Sequence, residues 1–337
     1  MDVSIIICTR NRASDLSKTL HSIGKTKLPT TLDVELMVVD NGSTDHTQEV
    51  ISRDRPEGWT VRTCVETRGG LSHARNCAVR NSRGNILLFT DDDVRVPELW
   101  IDPITQPIRS GEADAVAGGV SIAPYLRRSW MSPRSRSVLA DTCLLNPDHP
   151  KYMVGANMAI ARRVFERVPS FDPELGAGAE SLGFGEEYLF SCQARQAGFT
   201  IGGRLDVAVE HHFNADRLTR ESYLNTVKKQ GRSEAYIDHH WRHGVPESHQ
   251  LSVTRALVKA YGRLGIDRIR NWRDVQRDEG MAVWEMHVLT RIYRLRQYLQ
   301  ERNRLRNYEL KGCVKVRGVA PESPTAESRS ASVKVVT

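Results

Sequence analysis

Three consecutive carboxylates, Asp91, Asp92 and Asp93, follow an apolar run at residues 86–89 and are the side chains best placed to do chemistry. The apolar run predicts a strand buried on both faces of a parallel sheet, and an open α/β sheet binds ligands at such a strand's carboxyl end. Because side chains alternate along a strand, Asp91 and Asp93 are predicted on one side and Asp92 on the other. Carboxylate oxygens there suit Mg²⁺ or Mn²⁺. The simpler alternative is a solvated acidic turn.

Three strand-loop-helix units precede the triplet and must position it. Buried-strand patterns at 3–8, 34–39 and 61–65 are each followed by a polar or glycine-rich turn and a helical pattern. The carboxyl ends of parallel strands meet at one edge, so Asp40, which follows the second strand, is predicted beside the triplet. We therefore predict an α/β fold with a nucleotide-type site along that edge. The sequence contains neither a P-loop nor a G-x-G-x-x-G fingerprint.

Four motifs in this order resemble the successive signatures of the family 2 inverting glycosyltransferases. They are VSIIICTRNR at 3–12, VVDNGSTD at 38–45, LSHARN at 71–76 and FTDDD at 89–93. The resemblance implies a GT-A fold, a Rossmann-like, mixed but mostly parallel sheet flanked by helices. It also implies a nucleotide-diphosphate sugar donor and a divalent metal. The residues that it places at the donor nucleotide are Thr9, Arg10, Asn11, Asp40, Arg75, Asp91 and Asp92, with Asp91 and Asp93 also on the metal.

The second half of such an enzyme must bind an acceptor and remove its proton. The resemblance places Gly155 and Asn157 in the acceptor-side loop, and Glu187 at the position of the general base, where the family usually has Asp. Glu186 is the second choice for the base. Both acids begin a predicted helix, whose N-terminus favours ionised carboxylates, so a purely structural role is the alternative.

A predicted strand at 207–212 ends in His211 and His212. A single histidine is more often a structural residue than a ligand. The resemblance implies that His211 lies near the donor diphosphate and on the metal, and we carry it as a candidate ligand beside Asp91 and Asp93.

Composition limits the class of protein. The 337 residues are 39% hydrophobic, enough for a sizeable core, and the six cysteines show no C-x-x-C spacing, so neither a zinc site nor a disulfide framework is indicated. The sequence opens directly into a strand pattern, without a signal peptide, and contains no apolar stretch of 18 residues. A cytoplasmic, reducing location is expected. No nucleic-acid-binding motif is visible, so nucleic acid is not an expected partner.

The basic charge is concentrated in the C-terminal part. Residues 213–312 hold 20 Lys and Arg against 12 Asp and Glu, a net charge of +8. We predict a catalytic domain at 1–240, a basic helical extension at 241–312 and a disordered tail at 313–337. A helical stripe formed by Trp284, Val288, Ile292, Leu295 and Leu299 predicts either packing on the catalytic domain or a second subunit, or peripheral contact with anionic lipid at the inner membrane face.

Together these features predict a metal-dependent inverting hexosyltransferase. The expected donor is a nucleotide-diphosphate sugar, with a UDP-sugar as the first choice. The expected acceptor is a saccharide or a lipid-linked saccharide, as in polysaccharide or glycoconjugate biosynthesis. The alternatives are a nucleotidyltransferase and a non-catalytic sugar-binding scaffold of the same fold. A nucleotidyltransferase needs a basic, glycine-rich loop after the first strand, and residues 9–12 contain no glycine.

Overall fold

A mixed sheet with helices on its faces organises the chain. The computed structural model describes residues 1–179, 182–244, 250–309, 312–316 and 334–336. The strands are β1 (Val3–Thr9), β2 (Val34–Asp40), β3 (Thr60–Val65), β4 (Ile86–Asp91), β5 (Val94–Arg95), β6 (Ala115–Ile122), β7 (Asn157–Ala161), β8 (Ile201–His211), β9 (Tyr308–Glu309), β10 (Gly312–Val316) and β11 (Lys334–Val336). The helices are α1 (Ala13–Gly24), α2 (Thr47–Arg53), α3 (Leu71–Asn81), α4 (Ile101–Arg109), α5 (Pro133–Ser137), α6 (Glu186–Gln196), α7 (Arg220–Ile237), α8 (Gln250–Arg270), α9 (Trp272–Val275) and α10 (Val283–Glu301).

Within the described residues, nine strands form one sheet in the order β11-β3-β2-β1-β4-β7-β6-β8-β5. β3, β2, β1 and β4 are parallel, β7 is antiparallel to β4 and β6, and β8 is parallel to β6. The aliphatic residues of β1 are at most 1% exposed, as expected of a strand covered on both faces. The predicted mostly parallel α/β sheet flanked by helices is therefore confirmed.

The strand register brings the polar strand ends together. Thr9 is paired with Asp40, and Cys8 with Asp91, so the loops that follow β1, β2 and β4 leave the sheet at the same edge. Helix α1 buries the predicted face, Leu16, Leu20 and Ile23, against the sheet. The three predicted strand-loop-helix units are confirmed, and their arrangement explains why residues far apart in the sequence share one site.

The predicted stripe on α10 faces inward. Met286, Leu289 and Ile292 are buried in an apolar cluster that includes Leu126 and Tyr223, and Trp284 and Val288 pack against it. The prediction that this stripe packs on the catalytic domain is confirmed. Contact of the C-terminal helices with lipid stays a prediction. The cluster also joins the two sides of the predicted boundary at residue 240.

Most of the predicted disordered tail at 313–337 lies outside the described residues. In the part that is described, the structure differs from the prediction. β10 pairs with β9, and β11 adds an antiparallel edge strand beside β3. Among the described helices, none is long and apolar enough to cross a membrane.

Candidate active site

Asp91, Asp93 and His211 form a cluster suited to a divalent cation. One ligand atom from each lies within 4.8 Å of the others, and His211 Nε2 is 3.3 Å from Asp93 Oδ1. His211 Nδ1 lies 3.0 Å from the Leu139 carbonyl oxygen. A carbonyl can only accept, so Nδ1 carries a proton, and Nε2 faces the cluster, where it donates to Asp93 when protonated and would offer its lone pair to a cation when unprotonated. Two carboxylates and an imidazole fit Mg²⁺ or Mn²⁺.

The middle carboxylate turns aside, as the predicted alternation requires. Asp92 accepts a 2.7 Å hydrogen bond from Thr9 Oγ1, and Arg12 forms ion pairs with both Asp92 and Asp93. Burial raises the pKa of Asp92 to about 7. Burial opposes ionisation of Asp93 as well, but the hydrogen bond to His211 and the Arg12 charge lower its pKa overall. Sequence reasoning gave Arg12 no role, although its place in the polar loop that follows β1 was a usable signal.

The loops that follow β1 and β2 meet at the sheet edge where the nucleotide is predicted to bind. Asn11 Oδ1 accepts a 2.7 Å hydrogen bond from the Thr44 amide. Asp40 is 1% exposed, and its carboxylate accepts from the Ser43 amide and Gln48 Nε2. Arg10 is exposed and extends toward Gly69, in the loop after β3. The predicted nucleotide contacts are thus gathered, and their binding to a base or ribose stays a prediction.

Arg75 occupies a position that the resemblance did not suggest. Its guanidinium is 3.1 Å from Glu186 Oε1, 2.9 Å from Glu187 Oε1 and 3.6 Å from Asp91 Oδ1, and its side chain is 3% exposed. Burial disfavours its charge, yet the three acids raise its pKa. Arg75 therefore holds the two candidate bases beside the metal cluster, whereas the resemblance placed it at the base and ribose.

Helix α6 begins with the two acids, directly after a glycine in the left-handed conformation, and the two acids differ in their exposure to solvent. Gly185 precedes the helix with φ of 97°, a conformation that glycine adopts without strain. Both acids line a cavity of about 580 Å³ that also reaches Asp91 and His211. Glu186 is 4% exposed, and burial, with the Glu187 charge, raises its pKa against the effect of Arg75. The Glu187 side chain is 20% exposed, so it is the more accessible of the two.

The family described as Glycosyl transferase family 2 matches residues 4–168 of this chain. Residues 4–168, just under half of the chain, are therefore assigned by similarity to a glycosyltransferase family 2 domain. The match includes the carboxylate triplet and Arg75 and ends before Glu186 and His211.

Two relatives support the assignment. The chain is 30% identical to the succinoglycan biosynthesis protein ExoM of Rhizobium meliloti (strain 1021) over 121 residues, 36% of this chain and 39% of that protein. It is 31% identical over 119 residues to the glycosyltransferase AglE of Haloferax volcanii, 35% of this chain and 39% of that protein. The chain thus covers about two fifths of each relative's length.

A crystal structure of GalNAc-T7 with UDP, GalNAc and Mn²⁺ resembles this chain in fold. The TM-score is 0.50 and the identity 18%, over 72% of this chain and 48% of that one. The predicted GT-A fold is confirmed.

The acceptor-side predictions within the family 2 domain have different outcomes. Gly155 lines the cavity, and a Cβ there would collide with the Arg75 guanidinium and with Glu187 Oε1, so glycine lets both approach the backbone. Asn157 is fully buried, accepts from Trp100 Nε1 and donates to the carbonyls of Gly119 and Val207. The structure corrects this assignment, because Asn157 bonds to the sheet and does not reach the cavity.

Arg217, beyond the end of the family 2 match, is a site residue that sequence reasoning missed. Its guanidinium lies 5.1 Å from the centre of the Phe213 ring and lines the active-site cavity with His211. Among the described residues no carboxylate pairs with it, and burial lowers its pKa while Asp93 opposes this effect. It belongs to no motif, and only the short helical turn at Ala215–Leu218 turns it toward the acids.

Proposed function

We propose that this chain is a metal-dependent inverting hexosyltransferase that uses a nucleotide-diphosphate sugar. The observation that carries the proposal is one cavity that brings Glu187 together with Asp91 and His211 of the cation cluster, at the sheet edge where the nucleotide-side loops meet. GalNAc-T7, which shares the fold, is a protein seen with UDP, GalNAc and Mn²⁺, and this supports a UDP-sugar donor.

Glu187 is the proposed general base. Its carboxylate removes the proton of an acceptor hydroxyl as that oxygen attacks the anomeric carbon, and the bond from the anomeric carbon to the diphosphate oxygen breaks in the same step. A single displacement from the opposite face inverts the configuration. Arg75 orients Glu187, and the Arg217 guanidinium offers a positive charge to the departing diphosphate. A divalent cation held by Asp91, Asp93 and His211 would act as a Lewis acid on the diphosphate oxygens.

The first prediction tests the donor and the cation. Thermal unfolding is measured with a panel of nucleotide sugars, with Mn²⁺ or Mg²⁺ and with EDTA. Because ligands that bind only the folded state stabilise it, a donor at 100 times its Kd adds about 2.7 kcal/mol to the free energy of unfolding. We expect this gain and UDP release to require the cation, and Asp91→Asn to weaken both.

Two results would contradict the proposal and favour one of the alternative functions. Pyrophosphate release from nucleoside triphosphates, without UDP release from sugar nucleotides, would indicate a nucleotidyltransferase. Sugar binding without any cation-dependent donor cleavage or transfer would indicate a non-catalytic scaffold.

We also propose that α8 contacts an anionic membrane surface and so brings the enzyme to a lipid-linked acceptor. One side of α8 is packed, through Val253, Ala260 and Leu264. The other side leaves Val258 and Ile269 67% and 78% exposed, and these positions lie on one helical face. Exposed cations border this face at Lys259 and Arg270. Apolar side chains beside cations fit an anionic interface, at about 1 kcal/mol per well-placed cation.

The second prediction concerns this surface. We expect the full-length protein to co-sediment with phosphatidylglycerol vesicles at low salt, and high salt or the paired change Val258→Glu and Ile269→Glu to release it. Leu99→Glu is the matched control, because Leu99 is 64% exposed on the sheet domain. If the protein ignores such vesicles and forms a dimer that the paired change dissociates, the face is a dimer interface. The cytoplasmic location expected from the sequence stays a prediction.

A further inference from the structure

A second cavity, which we call the basic cavity, lies between α7 and α10 and has a volume of about 500 Å³. Arg134 of α5 and Glu234 of α7 line both this cavity and the active-site cavity. The two spaces therefore adjoin across these side chains. The wall contributed by α10 is one helical face, with residues at i, i+3, i+4 and i+7. These are His287, Thr290, Arg291 and Arg294.

The acids of the basic cavity are already compensated. Asp238 forms ion pairs with Arg242, at 2.7 Å, and with Arg294, at 2.5 Å. Glu234 accepts a 3.0 Å hydrogen bond from Gln230. Burial raises the pKa of Glu234, and the neighbouring Asp238 adds to this effect. The charges of Arg294 and Arg134 oppose this rise, although among the described residues neither forms an ion pair with Glu234.

The remaining donors have no acceptor. Among the described residues, no carboxylate forms an ion pair with Arg134 or Arg291, and Arg134 Nε is buried without a hydrogen-bond partner. Thr290 is 8% exposed, and its Oγ1 is likewise buried and unpartnered. A buried polar group without a partner costs free energy, so such a group at a cavity wall indicates a ligand that supplies the missing acceptor.

We propose that the basic cavity binds a phosphoryl group of the acceptor while the acceptor hydroxyl lies at Glu187. Guanidinium groups from α5 and α10 and the Thr290 hydroxyl line this one cavity and offer it hydrogen-bond donors. A phosphoryl group supplies several acceptor oxygens and pairs well with arginine forks. The inference rests on the proposed glycosyl transfer and narrows the acceptor to a phosphorylated saccharide or a saccharide joined to lipid through phosphate.

The third prediction is a binding measurement on the full-length protein with UDP and Mn²⁺ present at saturation, so that the donor site is occupied. Glucose 1-phosphate is titrated calorimetrically, with methyl glucoside as the uncharged comparison. We expect the phosphate ester alone to bind, and Arg291→Gln to weaken it about tenfold or more, because a charge-assisted hydrogen bond is lost. Arg296→Gln is the matched control, since Arg296 is exposed on the same helix and does not line the cavity.

A second variant, a second ligand series and a separate activity assay distinguish the possible results. Thr290→Val, which keeps the side-chain shape, should also weaken binding. Dodecyl phosphate in neutral detergent micelles replaces glucose 1-phosphate in a second series, and binding confined to micelles would assign the phosphate to a lipid. Absence of binding in both series, or equal affinity in the Arg291 and Arg296 variants, would overturn the inference. Cation-dependent UDP release from a sugar nucleotide is measured separately, so loss of the proposed function is distinguishable from loss of this site.

Discussion

Glu187→Gln should bind a nucleotide sugar with nearly unchanged affinity and transfer the sugar about 10²–10⁴-fold more slowly. Glutamine keeps the size of the side chain and can still bond to Arg75, which lies 2.9 Å from the Glu187 oxygen. It cannot accept the hydroxyl proton of the acceptor. The effect should appear in kcat, because the missing proton acceptor is needed only in the transition state.

Glu186→Gln is the matched control, since Glu186 bonds to the same arginine and starts the same helix. Burial raises the pKa of Glu186, so this acid tends toward the neutral form that glutamine imitates. We expect a much smaller loss of kcat than in the Glu187 variant. If Glu186→Gln is the slower enzyme, Glu186 is the base, and if both variants keep nearly normal turnover, neither acid serves as one.

The strand pattern was sufficient to predict the core of the fold. The period and polarity of the side chains carry that information locally, as in the apolar residues of β1 and the carboxylates at the end of β4. The register then brings Asp40 and Asp91 to one edge, as a parallel sheet requires. The resemblance, and not the strand pattern alone, indicated His211 as a candidate ligand.

The errors arise where position depends on tertiary packing. Asn157 has a polar side chain beside a glycine-rich loop, but three hydrogen bonds fix it inside the sheet. The stripe of α10 is apolar in either environment, so its pattern cannot distinguish packing on α7 from contact with lipid. Arg134 and Arg291 are 157 positions apart, and no local sequence pattern indicates that they line the same cavity.

Arg75 shows the same limit. The motif at 71–76 marks its position, but its partners come from α6, more than a hundred residues later. A buried cation that bridges three acids is a structural necessity as much as a chemical one. If Arg75 were removed, Asp91, Glu186 and Glu187 would face one another without compensation in a buried site.

We therefore expect Arg75→Met to lower the free energy of unfolding by about 3–5 kcal/mol, because it leaves buried carboxylates unpaired. Urea denaturation measures this value. Arg80→Met is the matched control, since Arg80 lies on the same helix but is 54% exposed and 3.6 Å from Glu66, and exposed pairs contribute about 1 kcal/mol or less.

A cycle of substitutions can show whether Arg75→Met lowers stability because it leaves the acids uncompensated or because it removes packing contacts. Adding Glu186→Gln and Glu187→Gln to Arg75→Met removes two of the acids that Arg75 no longer compensates, so we expect part of the lost stability to return and the effects to be clearly non-additive. Strict additivity would show that the acids do not depend on Arg75. In that case the base is held by the α6 backbone alone, and the ion pairs seen in the structure contribute little.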